Sequence, residues 1–111
     1  YSYMLESKTK ENPVLFVTKW NIQSENIVEV MKRFVTSDPS KEFPEGVRLV
    51  GRWHNPAATS GVAVIDADSF ESAMRWTLKW NDLMDITLEP VIEDEQVGPM
   101  AAERLAFLDE N

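Results

Sequence analysis

The side chains with the means to act on another molecule gather in Glu45-Gly46-Val47-Arg48-Leu49-Val50-Gly51-Arg52-Trp53-His54. His54 is the single histidine of the chain. An imidazole titrates near neutrality and so suits proton transfer as a general base. Arg52 stands two residues before it, and a planar guanidinium grips a carboxylate or an enolate through paired hydrogen bonds. The run has the residue types of a strand. Strict alternation puts Arg48, Val50, Arg52 and His54 on one face and Val47, Leu49, Gly51 and Trp53 on the other, under helices. His54 and Arg52 are therefore the candidate catalytic pair, and Arg48, Trp20 and Glu89 the candidate ligand-binding residues. Cationic groups beside an apolar sheet need partners when buried. The same residues thus have a plainer reading, as interface groups paired with Glu89, Asp66 or a second subunit.

Other chemistries find little support. One histidine and no cysteine would leave a zinc site resting almost wholly on carboxylates, and a haem axial ligand would rest on His54 alone. Neither Ser60 nor Ser69 lies in a nucleophile-elbow glycine pattern. Phosphate-binding glycine motifs are missing. The expectation is no metal and no cofactor. The tryptophans divide: Trp53 reads as core, Trp20 as the wall of a pocket mouth, and Trp76 with Trp80 as a pair one turn apart making core or dimer contacts.

At 111 residues the chain is one domain. It has 11 basic and 19 acidic residues, a net charge of −8. An acidic protein of this kind is a poor partner for nucleic acid or an anionic membrane, which need clustered Lys and Arg. No apolar run is long enough to span a bilayer, and the start lacks the pattern of a secretory signal. A chain without cysteine fits a reducing cytoplasm.

The elements follow from periodicity. Residues 1–12 are polar and without period, and read as an N-terminal arm, either disordered or added to the domain. Val14 to Trp20 alternates as a central strand. Ser24 reads as the cap of a helix whose stripe is Ile27, Val30, Met31 and Phe34, with Glu29 in reach of Arg33. The strand 47–54 pairs with Gly61–Asp66 as a hairpin. Asp68 and Glu71 read as a capping box for a helix with the stripe Phe70, Ala73, Met74, Thr77 and Leu78, ending at Asn81-Asp82. A fourth strand spans Ile86–Ile92, with Pro90 at an edge or a bulge. After the acidic turn Glu93–Glu95, Pro99 suits the first position of a last helix, placed over 97–111 beyond a domain of residues 13–96.

The order β-α-β-β-α-β predicts an α+β, ferredoxin-like fold: a four-stranded antiparallel sheet, two helices on one face, and a C-terminal helix. The opposite face would carry Val50, Val91 and either Leu15 and Val17 or Phe16 and Trp20. That is too apolar for water, and the same face of a second copy would cover it, making a homodimer. The rival is a monomer covered by its own C-terminal helix.

Glu45-Gly46-Val47 with Gly51-Arg52-Trp53-His54, Thr18-Lys19-Trp20, Trp76-x-x-x-Trp80-Asn81-Asp82-Leu83, and Pro90-Val91 followed by acidic residues resemble a small bacterial family of unknown function, over about residues 14–96. That family resembles the dimeric α/β-barrel group of ferredoxin-like folds, which implies a dimer. The group includes cofactor-free monooxygenases, isomerases, haem-handling enzymes and proteins without known activity, so the resemblance speaks to fold and not to reaction. Two expectations for function stay open. One is a homodimeric, non-enzymatic module for binding a small organic ligand or for assembly. The other is a cofactor-independent enzyme on a small anionic or aromatic molecule, with His54 moving the proton and Arg52 holding the charge.

Overall fold

The computed structural model describes residues 13–110. The expected arm at residues 1–12 lies outside them. Strands β1 (Val14–Ile22), β2 (Val47–His54), β3 (Ser60–Ala67) and β4 (Met84–Val91) alternate with helices α1 (Ile27–Thr36) and α2 (Phe70–Thr77), and α3 (Asp94–Glu110) follows. The sheet runs β2-β3-β1-β4 with every neighbouring pair antiparallel. This is the ferredoxin-like βαββαβ arrangement with a C-terminal helix, as the periodicity predicts.

Phe16, Thr18 and Trp20 of β1 and Ala63, Ile65 and Ala67 of β3 are buried, and with Val30, Ala73, Trp76 and Trp80 they form the helix-side core. The small residues on β3 let the indoles lie close to the sheet. The core stripe of α2 is the predicted one only at Ala73 and Thr77. Ser72, Ala73, Trp76 and Thr77 are buried, while Phe70, Met74 and Leu78 are about half exposed. Two apolar stripes compete on this helix, and the one with tryptophan buries more area per residue. The cap also differs: Ser69 accepts a hydrogen bond from the Ser72 amide, and Asp68 instead pairs with Arg48 at 2.9 Å. α1 opens through a 3-10 turn at Ser24–Asn26, so Ser24 is the turn's first residue and the cap positions fall on Gln23 and Asn26, neither capping through its side chain. Arg33 turns from Glu29 to grip Asp82, both N–O distances being 2.9 Å.

Alternation fails in β2. Leu49 pairs with Ile65 and Gly51 with Val64, so Val50 is an extra, bulged residue. Beyond it Arg52 pairs with Ala63 and His54 with Gly61, positions beside buried Thr18 and Trp20. The expected faces are therefore exchanged: Arg52 and His54 join Val47 on the helix side. Trp53, expected in the core, lies on the outer face and is 58% exposed, its indole resting where a side chain on Gly51 would stand.

The outer face presents half-buried Leu15, Val17, Val62, Val64 and Val91. α3 buries none of its residues and leaves this face open. It starts at Asp94 and not near Pro99, because the Glu93 amide donates to the Gln96 side chain at 2.7 Å, a capping arrangement. Pro99 then sits inside the helix. The radius of gyration is 17.8 Å, against ~13 Å for a compact chain of this length.

Candidate ligand site between α1 and the sheet

A row of three residues crosses the end of the sheet: Trp20 on β1, Gly61 on β3 and His54 on β2. Gly61 has no side chain, and a Cβ there would stand 2.3 Å from Trp20 Cζ2. The indole therefore leans across β3 to meet the imidazole, with ring centroids 5.7 Å apart and planes at 68°. Phe34 of α1 meets the imidazole from another side, at 5.9 Å and 65°. Both are edge-to-face contacts of the favourable kind. Among the described residues, no hydrogen-bond partner meets the ring nitrogens of His54.

Arg52, one strand pleat away, is paired with a carboxylate. Its Nη1 donates to Glu42 Oε2 at 2.6 Å and its Nη2 to Oε1 at 3.2 Å. Its guanidinium carbon lies 5.1 Å from the centre of Phe34 and 5.7 Å from that of Phe43. Glu42 also accepts from Trp76 Nε1 at 3.3 Å, and Phe43 stacks on Trp76 at 5.5 Å. Lys79 fastens the loop that carries Glu42, donating to the carbonyls of Lys41 and Glu42 at 2.9 and 3.0 Å. Arg33 fastens α1 in the same region through the Lys79 carbonyl and Asp82. Its hydrogen bonds hold the Asp82 carboxyl below the ordinary carboxylate value.

Beside them lies an open cavity of about 100 Å³ whose walls include Trp20, Phe34, Trp76 and Trp80, with Arg52 and the exposed His54 on its lining. Met31 and Phe34 are about half exposed, so the cavity opens past α1. Ligand pockets usually reach ~300 Å³ or more; this one suits a single ring.

Trp20, Arg52 and His54 thus come together. Arg48 and Glu89 do not join them. Arg48 is on the outer face, paired with Asp66 at 3.3 Å and Asp68 at 2.9 Å, and Glu89 lies exposed opposite Val17. Glu42 was not among the sequence candidates. It stands in a loop between Pro39 and Pro44, where nothing in the pattern distinguishes a buried carboxylate from a solvated one. Among the described residues no three histidine or acidic side chains are grouped to hold a metal ion, and no helix is long and apolar enough to cross a membrane.

Gly61→Ala tests the frame. The new methyl would also stand 2.5 Å from the Trp53 carbonyl oxygen, and backbone yields little. Overpacking of this kind costs ~1–3 kcal/mol. The expected outcome is a lowered denaturation midpoint with a changed near-ultraviolet tryptophan signal; an unchanged signal would mean that Trp20 does not depend on Gly61.

Residues 14–105 match the model of a family described as a domain of unknown function (DUF3303). No curated protein and no solved structure matches the chain.

Proposed function

We propose, for a chain that belongs to the DUF3303 family, that it is a homodimeric module in which each protomer holds one small organic molecule in the cavity beside His54, without turning it over. The observation that carries this is a pre-built polar point in an apolar frame. The imidazole is held by two aromatic rings, lines the cavity and spends no hydrogen bond on the described protein. A cytoplasmic setting suits a chain without cysteine.

A second copy is the cover for the outer sheet face. That face is apolar at Leu15, Val17, Val62, Val64 and Val91, and it bears Lys19 and Glu89, which form no ion pair among the described residues. One unpaired charge of each sign on a single face suits a twofold contact, in which each patch meets its own image. α3 points the same way. It presents Val97, Met100, Leu105 and Leu108 unburied, and a helix in a protein draws most of its stability from packing its apolar side chains. Val64→Glu is expected to yield a monomer by sedimentation, where the parent chain sediments as a dimer. A parent chain that is cleanly monomeric at micromolar concentration overturns the dimer.

The second reading is a cofactor-independent enzyme with His54 as the base, favoured by the same uncommitted imidazole. Native mass spectrometry of freshly purified protein tests the first reading. A reproducible small added mass, lost on His54→Ala while the assembly is kept, supports the cavity as a site. A His54→Ala chain that loses the dimer instead marks His54 as structural.

A further inference from the structure

We infer that the cavity selects a neutral single-ring molecule bearing one hydrogen-bonding substituent, and discriminates against ring carboxylates. The inference rests on the ligand-binding reading above and reverses the expectation that Arg52 would hold an anion. Each guanidinium terminus of Arg52 donates to Glu42, and aromatic rings of Phe34 and Phe43 lie beside the planar group. The pair is mostly shielded, with side-chain exposures of 17% for Arg52 and 9% for Glu42. Glu42 is further held by the Trp76 indole.

To take the paired grip of both Arg52 Nη atoms, an entering carboxylate would have to displace Glu42, trading one ion pair for another and stranding a shielded carboxylate. If it left the pair intact, it would lose hydration and meet, among the described residues, a guanidinium whose charge Glu42 already balances. An ammonium fares no better, because among the described residues the lining carries no carboxylate, and Glu42 beside it is held by Arg52 and Trp76. What the cavity does offer is aromatic wall and one imidazole with unspent hydrogen-bonding capacity. A ring with one hydroxyl meets both demands. The volume of about 100 Å³ sets the size: a closed apolar cavity of ~150 Å³ accepts benzene, so a single ring fills this one and reaches its open mouth.

The experiment titrates the full chain with phenol, benzoate and toluene at pH 7.5, reading the His54 ring resonances and the tryptophan indole resonances by NMR. Phenol is expected to bind at least ~10-fold more tightly than benzoate, the scale of one hydrogen bond without an opposing charge penalty. His54→Ala is expected to weaken phenol by about 10-fold and toluene, which loses only ring contact, by less, and His54→Gln to recover part of the phenol loss. Benzoate binding as tightly as phenol, or phenol binding unaffected by either His54 variant, overturns the inference while leaving the site itself in place. Failure of all three probes to move the indole resonances of Trp20, Trp76 and Trp80 overturns the ligand-binding reading with it.

Discussion

Glu42→Gln is expected to lower the stability of the domain by about 3 kcal/mol, the scale for breaking a shielded ion pair on one side only. The amide keeps an oxygen for the Trp76 indole, so the substitution isolates the charge. That same oxygen still accepts from Arg52 Nη1 but without its charge, the hydrogen bond from Nη2 is lost, and the guanidinium remains beside Phe34 and Phe43, where water reaches it poorly. For a domain of about this size 3 kcal/mol is a drop of roughly 12–20 °C in Tm. The double variant Glu42→Leu with Arg52→Met removes both charges and is expected to recover more than half of the loss, since an apolar pair of similar volume is often as stable as the ion pair it replaces. A single variant that melts within 2 °C of the parent would show that the pair is screened in solution.

Trp76→Ala is expected to cost as much or more, about 3–5 kcal/mol. The side chain is 2% exposed. Its removal takes away the stack with Phe43, the indole donor to Glu42 and one wall of the cavity. Total stability for domains of this kind is ~5–15 kcal/mol, so the variant should stand near the edge of folding, with a urea midpoint well below that of the parent. Trp76→Phe separates the terms: it keeps most of the volume and loses the donor. Because Trp76 and Glu42 touch, the two costs will not add; a double variant whose loss equals the sum of the single losses would deny the coupling. A Trp76→Ala loss under 1 kcal/mol would mean that the neighbouring rings close the void.

Much of this architecture is legible in the chain. The order of strands and helices follows from periods of two and of three to four residues, and Trp20, Arg52 and His54 are picked out by residue type alone. Their common location is not, because alternation assumes an unbroken ladder. The only sign of the bulge is Gly51, an isolated glycine in a strand, which is compatible with several distortions. On α2 the choice between Phe70-Met74-Leu78 and Trp76-Trp80 depends on what the sheet opposite can receive. The alanines and glycine of β3, across the fold, make room for indoles. Glu42 is invisible for a different reason: a carboxylate in a loop becomes part of a site only when a distant arginine, Arg52 on the bulged strand, is turned to meet it.

The bulge at Val50 also changes how this segment should be counted in other chains. In an unbulged strand, residues on one face are separated by even numbers. Here Val47 and Arg52 share a face at an odd separation. The extra residue thus acts as a parity correction. A chain one residue shorter between these points, with a straight ladder, would present the same arginine and histidine to the same cavity. Deleting Val50 should preserve the orientation of Arg52 and His54. Inserting a second residue beside it would, unless the insertion were also bulged out, send both to the outer face. When chains of this kind are aligned, a one-residue gap at position 50 is compatible with an identical site, whereas a one-residue gap between Gly51 and His54 is not.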